Sequence, residues 1–118
     1  MRHLSMKTHN KLVRDLIPDI IEKNGETAVT RQLSGAEYKE ELLKKIVEEA
    51  EEVRDAGSNT DELTKEIGDV LEVVEHILKA FKINPNDVAE IKKVRKEKRG
   101  GFVGRIYLES TNEISKEN

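Results

Sequence analysis

The residues of this chain best suited to chemistry are two acidic clusters, Glu48-Glu49-Ala50-Glu51-Glu52 and Glu66-Ile67-Gly68-Asp69. Each lies in a segment whose apolar residues recur at helical spacing. Tyr38, Leu42, Leu43, Ile46, Ala50 and Val53 surround the first; Leu63, Ile67, Val70, Leu71, Val74, Ile77, Leu78 and Phe81 surround the second. At roughly 100° per residue, Glu49 stands about 70° from the centre of its apolar stripe and Glu52 about 130°. Glu66 and Asp69 fall at about the same two offsets, in the same rotational sense. Only Gly57-Ser58-Asn59-Thr60 separates the segments, a loop short enough to make them antiparallel neighbours. Packed stripe to stripe, the helices bring Glu49, Glu52, Glu66 and Asp69 to one edge of their interface. Carboxylates gathered in this way repel one another unless a cation lies among them, and all-oxygen ligands suit Mg²⁺ or Mn²⁺ rather than zinc. A single Glu-rich helix edge is usually a solvated face paired with Lys. Two matched pairs across a short hairpin favour a metal site.

The elements that must position these residues follow from the rest of the chain. At 118 residues the length fits one domain, expected over residues 10–108, with a loose segment at 1–9 and a polar tail at 109–118. Pro18 suits the first turn of a short helix and Gly25 its end. Residues 28–33 read as extended. Ser34-Gly35-Ala36-Glu37 has capping-box spacing and opens the first long helix, which stops at Gly57; Asn59 or Thr60 caps the second. Gly68, inside that second helix, is compatible with close helix approach, with room for a ligand, or with neutral drift. Asn84-Pro85 starts a further helix that runs to Arg99 and is stopped by Gly100-Gly101. Phe102 to Leu108 is a strand candidate that would form a two-stranded ribbon with residues 28–33. The predicted class is all-α: an antiparallel helical bundle completed by dimerisation, with that small β ribbon marginal unless it packs on the helices.

Composition adds bounds. Charged residues make up 38% and hydrophobic ones 36%, with two Phe, two Tyr and no Trp, so the core is thin and burial by self-association is expected. There is no cysteine, which excludes disulfides and thiolate ligation. No apolar run is long enough to span a bilayer, and the first residues lack the apolar region of a signal peptide, so a soluble cytoplasmic protein is expected. Met6 offers an alternative start. The net charge of −3 hides an acidic stretch over 37–75 and a basic one in which Lys92 to Arg99 hold six cations against one Glu. Basic helices can bind nucleic acid. The negative total and scarce aromatics argue against that partner here. A hard-metal site together with a cationic element fits a nucleotide polyphosphate instead, because Mg²⁺ bridges phosphate oxygens while Lys and Arg neutralise the remaining charge. His76, near the Asp69 edge, reads as a solvated residue. No Ser-His-Asp or Cys-His arrangement can be assembled.

Glu49-Ala50-Glu51-Glu52 followed by Glu66-Ile67-Gly68-Asp69 resembles the ExxE…ExxD signature of the all-α, MazG-like nucleoside triphosphate pyrophosphohydrolases. The opening Asn10-Lys11-Leu12-Val13-Arg14-Asp15-Leu16-Ile17-Pro18 and the closing Lys98-Arg99-Gly100-Gly101-Phe102 resemble a small, phosphoribosyl-ATP pyrophosphohydrolase-like MazG branch. The resemblance covers about residues 10–108. It implies that Glu49, Glu52, Glu66 and Asp69 bind Mg²⁺, with Mn²⁺ as a substitute. It also implies cleavage of a nucleoside triphosphate to monophosphate and pyrophosphate, and a helical core that dimerises and sometimes pairs into tetramers. Lys11, Arg14, Lys92, Arg95, Lys96 and Arg99 are the candidate phosphate contacts, Arg95 and Arg99 foremost. Glu48 is the candidate to orient or deprotonate the attacking water, with Glu51 less well placed. Housekeeping of aberrant nucleotides is the leading expectation. The alternatives are phosphoribosyl-ATP hydrolysis in histidine biosynthesis and a non-enzymatic helical module for association or regulation.

Overall fold

The computed structural model describes residues 5–115, and the expectations placed on residues 1–4 and 116–118 lie outside them. Four helices form among the described residues: α1 (Ile17–Lys23), α2 (Gly35–Ala56), α3 (Thr60–Ala80) and α4 (Pro85–Arg99). The chain divides between Ile83 and Asn84 into two compact units, the first holding α1, α2 and α3, the second α4 and the residues after it. No described helix is long and apolar enough to cross a membrane.

Local chemistry sets the helix ends. Ser34 Oγ accepts the Glu37 N–H at 3.2 Å while Glu37 Oε1 accepts the Ser34 N–H at 3.5 Å, a reciprocal cap that satisfies two otherwise unpaired donors. Arg31 braces the same carboxylate from outside, with Nη2 donating to Glu37 Oε2 at 2.9 Å. Replacing Ser34 with Ala is expected to cost about 1 kcal/mol in denaturant unfolding; an unchanged midpoint would mean the cap contributes nothing. Gly57 closes α2 with φ at 58°, a backbone that glycine adopts without a steric penalty. Asn59 caps α3, its Oδ1 accepting the Glu62 N–H at 3.1 Å, and Asn84 caps α4 in the same manner. Pro18 and Pro85 occupy the first turns of α1 and α4, where the missing N–H has no intrahelical partner to lose.

α2 and α3 pack against one another as a hairpin, and this contact organises the first unit. Among the described residues, Leu42 and Val73 are its buried apolar side chains, and the third buried residue is Glu49, a carboxylate. On the same two helices Leu43, Val47, Ile67 and Leu71 remain 45–63% exposed. Gly68 is not held to glycine by its own chain, since a Cβ there would meet nothing within 4 Å. Close packing within the chain therefore does not explain it.

The expected β ribbon does not form. Residues 28–33 and 102–108 contain no strand, and the second stretch begins with a turn in which the Arg105 N–H donates to the Phe102 carbonyl at 3.2 Å. A two-stranded ribbon is stable only with one face packed on something. Val29, Phe102, Val103, Ile106 and Tyr107 are all solvent-exposed, so no packed face is available to hold it.

Candidate active site

The α2–α3 hairpin brings Glu49, Glu52, Glu66 and Asp69 together. One carboxylate oxygen from each lies within 4.8 Å of the others. The i,i+3 spacing places the members of each pair one above the other on one helix face, and the short loop sets the two helices side by side. Burial is unequal: Glu49 is buried, Glu66 and Asp69 are half-buried, and Glu52 is exposed. Glu49 Oε2 and Glu66 Oε2 are shielded from solvent and receive no hydrogen bond from the protein.

This arrangement is costly for the charged forms. Burial pushes the Glu49 carboxyl above its ordinary 4.5, with Glu52 and Asp69 adding repulsion and Lys45 opposing them. Burial does the same to Glu66, reinforced by Glu52, Asp69 and Glu62. Two solvent-shielded, unpartnered carboxylate oxygens inside a group of four acids are an anionic site short of positive charge, and a hard divalent cation meets that need.

The cations that reach the site come from two places. Arg14 Nη2 donates to Asp69 Oδ1 at 2.7 Å, and Lys11 Nζ stands 3.4 Å from Glu48 Oε1. Lys45 lies 3.3 Å from Glu48 Oε2 and 3.6 Å from Glu49 Oε1, with its side chain largely shielded. Sequence reasoning passed over Lys45, although its i,i+3 and i,i+4 spacing to Glu48 and Glu49 was the available signal. Glu48 stands outside the four-oxygen group, and both of its oxygens face lysine ammoniums. Lys92, Arg95, Lys96 and Arg99 all lie on α4, in the second unit. His76 pairs with Glu72 one turn away, at 2.9 Å.

The family model of phosphoribosyl-ATP pyrophosphohydrolase matches residues 13–96, a span that includes all four carboxylates, Arg14, and the α4 cations up to Lys96. The chain belongs to this family. Phosphoribosyl-ATP pyrophosphohydrolases form part of the MazG-like all-α nucleoside triphosphate pyrophosphohydrolase superfamily, so the protein is a nucleotide pyrophosphohydrolase, a hydrolase of phosphoanhydride bonds. Enzymes of this family are typically dependent on a divalent metal. The donor set here, four carboxylates with two shielded and unpaired oxygens, fits that requirement. No curated protein and no solved structure matches the chain.

Proposed function

We propose that the chain is a Mg²⁺-dependent nucleoside triphosphate pyrophosphohydrolase that clears aberrant nucleotides, with Mn²⁺ able to replace Mg²⁺. The observation that supports this reading most is the convergence of four carboxylates within 4.8 Å, two of their oxygens shielded and unpaired. Glu49, Glu52, Glu66 and Asp69 would hold the cation. When bound, it would neutralise phosphate charge and raise the acidity of a coordinated water.

The chain's own residues account for the rest. Arg14 and Lys11, on the segment before α1, offer a planar guanidinium and an ammonium to substrate phosphate from the rim of the acidic group. Glu48 accepts the proton of the attacking water, and the lysines on its two oxygens hold it in one orientation. The bond between the α- and β-phosphoryl groups breaks, the bridging oxygen departs with pyrophosphate, and the new P–O bond leaves a monophosphate. Half-exposed Leu43, Val47, Ile67 and Leu71, beside a core of two apolar residues, support a homo-oligomer, most simply a dimer.

A second reading keeps the chemistry and takes phosphoribosyl-ATP as substrate. The family match supports it equally. One assay separates the two: purified protein with Mg²⁺, a panel of standard and modified nucleoside triphosphates, and phosphoribosyl-ATP, with pyrophosphate and orthophosphate scored separately. We expect pyrophosphate and monophosphate, fastest from a modified triphosphate. A clear preference for phosphoribosyl-ATP transfers the assignment to the second reading, and orthophosphate as the released product would overturn the cleavage position.

A further inference from the structure

The acidic group already has a protein cation on it. Arg14 lies 55 residues before Asp69 in sequence, yet its guanidinium donates to the Asp69 carboxylate at 2.7 Å. The segment that carries it is partly covered and turns into α1 just beyond it. Leu12 and Val13 are half-buried while Lys11 and Arg14 remain exposed, and the Ile17 N–H donates to the Arg14 carbonyl at 3.0 Å as α1 begins. The Arg14 side chain is itself more than half exposed, which leaves it free to swing.

A guanidinium is a permanent cation, and a divalent ion entering the four-oxygen group competes with it for the same carboxylate and repels it. The planar fork that leaves Asp69 also matches a phosphate oxygen pair. From this geometry we infer that Arg14 is an exchangeable counter-ion. It neutralises Asp69 in the metal-free protein, yields that carboxylate when a divalent cation enters, and passes to the phosphate of the incoming nucleotide. The inference rests on reading the four carboxylates as the metal centre. Its consequence is thermodynamic: Arg14 weakens the binding of metal alone and strengthens the binding of nucleotide once metal is present. The two ligands are thereby coupled through a residue that pairs with either the Asp69 carboxylate or the nucleotide phosphate.

The test is calorimetric titration of the full-length protein with Mn²⁺, without nucleotide, in wild type, Arg14→Gln, Arg14→Lys and Lys11→Gln. Titration with a non-hydrolysable nucleoside triphosphate at saturating Mn²⁺ follows. Arg14→Gln should bind Mn²⁺ roughly two- to fivefold more tightly, the range set by an exposed ion pair. The same variant should bind the triphosphate analogue at least about tenfold more weakly, as expected for a lost charge-assisted hydrogen bond. Arg14→Lys should restore part of both effects. Lys11→Gln should tighten Mn²⁺ binding less, because Lys11 pairs with Glu48 rather than with one of the four ligands. Opposite shifts for the two ligands are not produced by a residue that only supports the fold. Unchanged or weaker Mn²⁺ binding by Arg14→Gln, or an equal gain from Lys11→Gln, overturns the exchange while leaving the metal centre standing. If no variant and no wild-type protein binds Mn²⁺, the metal centre falls and the exchange with it.

Discussion

A Glu49→Gln protein is expected to lose at least about a hundredfold in turnover while melting, without divalent metal, at or above the wild-type temperature. The two effects share one cause. Glu49 is the buried member of the acidic group, its Oε2 has no partner, and burial together with Glu52 and Asp69 disfavours its charge. Glutamine keeps the shape, removes the buried charge and supplies an N–H₂ that neighbouring carboxylates can accept, so the fold should not suffer. The same change removes a charged oxygen from the proposed metal centre. Loss of a residue that merely orients a metal ligand already costs about 10- to 100-fold, so loss of a ligand should cost at least the upper end of that range. Glu51, exposed and outside the four-oxygen group, is the control, and Glu51→Gln should alter neither quantity much. Steady-state rates and thermal melts on the three proteins decide the matter. Turnover within twofold of wild type for Glu49→Gln would remove Glu49 from the site.

The second large effect is a change of sign in how stability responds to pH when metal is supplied. Glu49 and Glu66 both titrate above the ordinary glutamate value of 4.5 in the folded chain. Between 4.5 and their raised values the folded state holds more protons than the unfolded one. Their contribution is therefore fully present below 4.5 and is lost as the pH rises through the folded values. Glu37 acts oppositely, because Arg31 and the Ser34 backbone hold its carboxyl below the ordinary value. Melting curves of wild type against the double variant Glu49→Gln/Glu66→Gln isolate the site: the wild-type decline with rising pH should flatten in the variant. Mg²⁺ binds the deprotonated carboxylates, so its stabilisation should grow over the same pH range. At a hundredfold excess over its dissociation constant, a metal that binds only the folded chain adds about 2.7 kcal/mol, a rise on the order of 10 °C for a domain of this size. A melting temperature at neutral pH that ignores Mg²⁺ and Mn²⁺ would exclude the site as a divalent centre.

Much of the first unit is legible without coordinates because it is built from short-range rules. Ser34 with Glu37 and Asn59 mark helix starts there through hydrogen bonds that span three residues, and Asn84 does the same for α4 in the second unit through one that spans two. Gly57 marks an end through its own backbone freedom. The stripe that includes Leu42 gives the face of α2 that meets α3, and the brief loop leaves the helices little choice but to lie side by side, whereas Val73, the buried apolar residue of α3, stands outside the stripe read from the sequence. The same periodicity reads out the ExxE and ExxD pairs, which carry the family resemblance.

What the sequence could not decide is whatever depends on the surroundings of a group rather than on its spacing. Residues 28–33 and 102–108 have strand-forming composition, but a ribbon needs a packed face, and packing is a property of the whole chain. Glu49 and Glu52 are equivalent letters in one motif; the fold buries the first and leaves the second exposed, and desolvation then separates their chemistry. Arg14 and Asp69 meet across 55 residues, a long-range ion pair that no periodicity encodes. The sequence by itself determined the helices, the hairpin and the identity of the acidic residues, since each follows from interactions within a few residues. The tertiary structure decided which carboxylates are shielded and which cations reach them, because solvent exclusion and long-range ion pairing exist only once the chain has packed.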